Sequence, residues 1–216
     1  MPLTTIQYIA AAIIPVLFAI TVHEVAHGFV ANRFGDPSAK ILGRLTLNPL
    51  KHIDLVGTIL VPALLLALGG FIFGWAKPVP VNSRNMKNPR YDMIWVAAAG
   101  PVSNGIMALL WAAILKLALM FLITQPQFFV PIKTMAGIGI QINLILMVLN
   151  LVPIPPLDGS KILMGLLPGP AAYRLSLLEP YGFFIILALM YFGVLSVVLE
   201  PVLNLLFHAI IGLFGV

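Results

Sequence analysis

Residues Ile6 to Asn32 read IQYIAAAIIPVLFAITVHEVAHGFVAN, an apolar run that holds His23, Glu24 and His27 toward its C-terminal end. A helix that crosses the hydrocarbon of a bilayer needs about 20 mostly apolar residues, so this stretch is long enough to span. The pattern H-E-x-x-H then falls on one helix. Residues four apart sit one above the other on a single face, which lets His23 and His27 offer two imidazole nitrogens to one metal ion. Glu24 projects about 60° round the helix from His27, close enough to reach a metal-bound water without ligating the ion. Groups of this kind left without a partner in lipid are costly, which favours the metal reading over a chance pairing of polar residues.

The rest of the chain fits a bilayer setting. Of its 216 residues 61% are apolar and only 9% charged, and the mean hydropathy is +1.06. Soluble domains carry about 25% charged residues, so the composition is that of an integral membrane protein. The net charge of +5 is spread along connecting segments. In a membrane protein that pattern reports orientation and does not suggest a nucleic-acid partner. There are no cysteines, which removes disulfides and thiolate metal sites. Met1 to Gln7 has no basic cluster, so no cleavable leader is expected.

Further apolar stretches follow at Leu55–Gly74, Met93–Ile123, Thr134–Leu151 and Tyr181–Val216. The last, as one helix, would reach roughly 50 Å against a core of about 30 Å, so Gly193 and Pro201 are expected to break it. Leu55–Gly74 is interrupted by Pro62 and Gly69-Gly70 and is basic on both flanks: Arg33, Lys40, Arg44 and Lys51 precede it, and Lys77, Arg84, Lys87 and Arg90 follow. A single span would put one cluster on the outer side, against the positive-inside tendency, so a re-entrant hairpin broken near Pro62 or Gly69-Gly70 is predicted. The fold expected is an all-α polytopic membrane protein, a single domain over 1–216, with about four to six apolar helices and short β or loop segments between them.

Two histidines leave a catalytic zinc site one protein ligand short. His52 lies in a polar connector and His208 alone in the last apolar run, and neither is a strong candidate. Asp36, Asp54 and Asp92 fall in connectors, and Glu179 and Glu200 each precede a proline. Asp158 follows Asn150-Leu151-Val152-Pro153-Ile154-Pro155-Pro156-Leu157, where three prolines cannot continue a helix and the backbone opens. Such backbone is tolerated at membrane depth only inside protein or along a wet cavity. On that evidence alone Asp158 reads as an Asp-Gly turn or as the cap of a helix starting near Ser160.

H-E-x-x-H in a membrane span, followed over a hundred residues later by N-x-x-P-x-x-P-L-D-G, resembles the site-2 protease family of intramembrane zinc metalloproteases. The stretches Gly43-Arg44-Leu45-Thr46-Leu47-Asn48-Pro49 and Gly74-Trp75-Ala76-Lys77-Pro78-Val79-Pro80-Val81 are similar to those of its small members without appended domains, so the resemblance runs from Thr21 to about Tyr181. It implies a three-helix catalytic core, with one zinc held by His23, His27 and Asp158 and Glu24 as the catalytic acid/base. It also implies that Asn104, within Gly100-Pro101-Val102-Ser103-Asn104, contacts the substrate backbone or the developing oxyanion. The implied substrate is a transmembrane protein, cut within or next to its span in regulated intramembrane proteolysis, and the implied location is a prokaryotic cell membrane, in contact with lipid.

A transmembrane helix hides its carbonyls in i→i−4 hydrogen bonds, so the substrate must unwind before attack. Lys40–Leu47 and Lys77–Asn82 are the segments whose strand edges are expected to hold it, with Pro78 and Pro80 suiting an edge. A metal- or proton-coupled transporter would show paired inverted halves, which are not visible. A proteolytically dead scaffold would be expected to have lost Glu24.

Overall fold

The computed structural model describes residues 4–67, 74, 76–121 and 125–216. Nine α-helices follow one another among them: α1 Thr5–Arg33, α2 Ser38–Ile41, α3 Val61–Ala67, α4 Pro89–Phe121, α5 Pro126–Asn150, α6 Asp158–Leu166, α7 Gly169–Ser176, α8 Gly182–Tyr191 and α9 Val194–Phe214. Five stretches are long and apolar enough to cross a bilayer: α1, α4, the part of α5 from Phe128, the run from Gly169 to Tyr191 that joins α7 to α8, and α9. Helices suit this composition because lipid offers backbone N–H and C=O groups no partner, and a helix satisfies them within its own segment.

Local chemistry sets the ends. Thr4 and Gln7 close a reciprocal capping box at the start of α1, the Thr4 hydroxyl accepting from Gln7 N and the Gln7 amide oxygen from Thr4 N. Proline occupies the first position of α4 and of α5, where its missing N–H costs no helical bond. α5 begins eight residues earlier than hydropathy predicts, because Lys133 lowers the apolar count without disturbing the helical bonds. The last apolar run breaks at Gly193, which takes φ +70°, a left-handed conformation that glycine adopts at no steric cost. Pro201 does not break it. It lies inside α9, where a single lost hydrogen bond is tolerated in a membrane helix.

The core is a bundle of α1, α4 and α5, with α6 laid on α4 and α9 on α5 and α4. Small residues bring the helices close, as is usual where lipid removes the hydrophobic drive for association. Ala108, Trp111, Ala112 and Leu115 of α4 mesh with Ala136, Ile140 and Leu144 of α5. Gly139 lies under the Trp111 ring, where any side chain would strike the indole.

α1 and α4 run antiparallel, since His23 meets Asn104 while His27 meets Val96. The end of α1 and the start of α4 therefore lie on one side of the bundle, where Ala31, Phe34, Met86 and Val96 pack together. Both flanks of Leu55–Gly74 therefore lie on the same side of the bundle. Its described part is a π-helical turn, Leu55–Leu60, running into α3. The helix passes through Pro62 rather than breaking there, while Gly69-Gly70 lies outside the described residues.

The expected strand edges are not strands. Among the described residues no β-strand forms: Lys40 and Ile41 end α2, and the turn after them leads into irregular chain. Residues 77–82 are irregular and bond to the protein singly, through Lys77 N to His52 O at 2.8 Å, Val79 N to Glu24 and Asn82 N to Asp36. With Pro78 and Pro80 lacking N–H groups, this segment has too few donors for a regular ladder.

Candidate metal centre

Three donor atoms converge toward the C-terminal end of α1. His23 Nε2 and His27 Nε2 stand 3.0 Å apart, and Asp158 Oδ2 lies 3.2 Å from the first and 3.1 Å from the second. His23 and Asp158 are buried, and the His27 side chain is 12% exposed. The histidines share a face because they are one helical turn apart. Asp158 reaches them because the proline-rich turn after α5 ends and α6 starts at that residue, folding back against α4. Gly159 makes the turn possible: a Cβ there would collide with the backbone carbonyls of Leu151 and Val152.

The protonation pattern is set from behind. The Nδ1–H of His23 donates to Asn104 Oδ1 at 2.6 Å, and that of His27 to Val96 O at 2.7 Å. In the neutral imidazoles Nε2 is then the nitrogen that carries the lone pair. Three electron-pair donors facing one another at about 3 Å repel unless a cation lies among them. Ligands about 2.0–2.1 Å from a tetrahedral zinc stand roughly 3.3 Å apart, so the spacing fits that ion. Asp158 Oδ1 is turned away, toward Lys161 Nζ at 3.4 Å, which leaves Oδ2 as the single oxygen offered. Gly100 of α4 keeps the space clear, since a Cβ there would run into both imidazoles.

The family model for peptidase family M50 matches residues 11–132, a stretch that includes His23, Glu24, His27 and Asn104. The chain belongs to peptidase family M50. It is 41% identical to the protein named "Putative zinc metalloprotease YwhC" of Bacillus subtilis (strain 168), over 99% of this chain and 94% of that one. It is 30% identical to the "Putative zinc metalloprotease Rip2" of Mycolicibacterium smegmatis, over 99% of this chain and 76% of the other. No solved structure matches it. The M50 chain is thus a membrane metalloprotease of the site-2 protease family, and His23, His27 and Asp158 are the described residues able to hold its metal.

The other residues singled out in the sequence fall as follows. Glu24 is half-buried, and its Oε2 accepts the Val79 N–H at 2.8 Å. Asn104 is fully buried with its amide hydrogens on Ala19 O at 3.2 Å and Asn143 Oδ1 at 2.9 Å. Contact with a substrate would require that amide to leave these partners. His208 is remote on α9, bonded to Asn204 O. His52 is not a solvated loop residue: it is buried, its Nε2 donating to Thr46 O at 3.0 Å.

Four positions support the site in ways that their sequence context does not spell. Asn143 completes the chain from His23 through Asn104 into α5, and its place one turn after Gly139 on an apolar helix was the available signal. Arg90 donates to Gly165 O at 2.8 Å and to Leu167 O, pinning the far end of α6 to α4. Gly100 carried no polar signal at all. Asp36, dismissed as a connector residue, is fully buried and accepts from Ser38 N, Asn82 N and Asn85 Nδ2. Burial alone would raise its carboxyl, but those donors hold it below the ordinary carboxylate range. It ties the chain leaving α1 to the segment that covers Glu24.

Proposed function

We propose that this M50 protease hydrolyses peptide bonds within or next to the transmembrane segments of other membrane proteins, in regulated intramembrane proteolysis. The observation that carries this reading is the placement of a largely buried His–His–Asp cluster among helices long and apolar enough to cross a bilayer. A protease built for soluble substrates has no need to sink its site among such helices.

Zinc, when bound by these three residues, supplies Lewis acidity that makes a water deprotonable near neutral pH and polarises a carbonyl. The chain's own residues do the rest. Glu24, one residue along the helix from His23, takes the water proton and returns it to the leaving amine. Its Oε2 is held by the Val79 N–H, so Oε1 is the oxygen assigned to the proton. Asn104 and Val96 fix the tautomers of His23 and His27, and Asn104 acts on the site through His23. Residues 77–82 lie against Glu24 and are the segment beside which an unwound substrate would be held.

The basic clusters on either side of Leu55–Gly74 share one side of the bundle, which we assign to the cytoplasmic face of a prokaryotic cell membrane. The test is a comparison of membrane proteomes from cells carrying wild-type or Glu24→Gln enzyme. A single-span protein truncated near its membrane segment only with the wild type supports the reading. Cleavage confined to water-soluble proteins would overturn it.

A further inference from the structure

We propose that the outer face of α9 is the contact between two copies of this chain in the membrane. Asn204, His208 and Gly212 recur every four residues along that helix, within about 80° of one another round its axis, and all three are exposed. The opposite face is occupied, with Leu203, Leu206, Phe207 and Ile210 packed on the α4–α5 core.

The depth of this stripe makes it costly when bare. Lys116 Nζ of α4 donates to Phe214 O at 2.7 Å, which puts the last turn of α9 where a lysine ammonium can reach the surface. At 1.5 Å per residue, Asn204 then lies about 15 Å in, near the middle of the hydrocarbon, and His208 about 9 Å in. No group of this chain bonds the Asn204 amide among the described residues. His208 donates its Nδ1–H to Asn204 O at 2.7 Å, which leaves Nε2 as an outward acceptor. Polar side chains at such depth belong against protein, not lipid.

The stripe favours a second copy as the occupant. Copies insert with one orientation, so a two-fold axis along the membrane normal brings each residue opposite itself at equal depth. An amide is donor and acceptor at once. Asn204 can give one hydrogen to the amide oxygen of the facing Asn204 and the other to the facing His208 Nε2, and receive the same in return. The four-residue spacing of Asn204, His208 and Gly212 suits a right-handed crossing of about 40°. A substrate is a poorer fit, since the metal cluster stands on α1 and α6, which α9 does not pack against.

Because the chain has no native cysteine, the contact can be read by cross-linking. A Cβ at Gly212 meets nothing within 4 Å, so Gly212→Cys places a thiol on the stripe without disturbing it. Leu110→Cys on α4, a lipid-facing position 54% exposed, is the control. With a short bis-maleimide in native membranes, Gly212→Cys should yield a species of twice the chain mass and Leu110→Cys should not. Adding Asn204→Leu should lower the dimer yield on the order of tenfold, while Asn204→Gln restores it and zinc content stays unchanged. The proposal is overturned if Gly212→Cys cross-links no better than the control. It is equally overturned if Asn204→Leu leaves the yield intact, or if the linked species joins this chain to a different protein.

Discussion

His23 and Asn104 are joined by a 2.6 Å hydrogen bond from imidazole Nδ1 to amide Oδ1, which leaves Nε2 turned toward His27 and Asp158 in the candidate metal cluster. Asn104 is itself held by Ala19 O and Asn143, so α1, α4 and α5 all contribute to the orientation of one ligand. Removing Asn104 should therefore weaken metal binding while every ligand stays in place. Asn104→Ala is expected to lower zinc affinity by about 10–100-fold, read by competition with a chromophoric chelator. Unaltered affinity with lost cleavage would instead assign Asn104 to the substrate.

Gly100→Ala tests the packing of α4 on the histidines. The added Cβ must displace one or both rings, because the helix backbone behind it is fixed by its neighbours. A stability loss of about 1–3 kcal/mol is expected, as for other overpacked interiors. Zinc retention should fall more steeply than the thermal midpoint. Full zinc occupancy in this variant would show that the cluster sits farther from α4.

Arg90 acts from the opposite end of α6. Arg90→Ala frees the carbonyls of Gly165 and Leu167, so the helix bearing Asp158 should rock on α4. Zinc dissociation should quicken, with little change in the amount of helix seen by circular dichroism. An unchanged off-rate would remove Arg90 from the site's support.

Asp36 carries a pH signature. Its folded carboxyl is held below the usual range by Ser38, Asn82 and Asn85, against the opposing effect of burial. The stability it contributes is present above the unfolded pKa of about 4 and is lost as pH falls through the lower folded value. Asp36→Asn should thus unfold at a lower temperature than wild type at pH 7, and the gap should close as pH drops below about 4. A gap independent of pH would mean that the charge is not what the donors hold.

Much of the site was legible because its chemistry is spelled in neighbouring letters. His23 and His27 at helical spacing needed only the 3.6-residue period, and the proline run before Asp158 announced open backbone. Their meeting was not legible from spacing alone, since it depends on how the chain folds back after α5. Supporting residues hid for a related reason. His52 and Asp36 sit in polar connectors that sequence treats as solvated, yet folding buries both. The antiparallel pairing of α1 with α4 puts both basic flanks of Leu55–Gly74 on one side of the bundle, which charge counting alone could only suggest. Strand edges were expected at 40–47 and 77–82 to hold an unwound substrate, with Pro78 and Pro80 suiting an edge, but at 77–82 those same prolines leave too few donors for a ladder.

The central claim is that Asp158 completes a zinc site begun by His23 and His27. The measurement that tests it most directly is the zinc content of purified Asp158→Ala beside the wild type. The wild type should hold about one zinc per chain, and the variant should lose most of it after dialysis against a mild chelator, because two imidazoles alone bind far more weakly. Near-stoichiometric zinc retained in Asp158→Ala would contradict the account.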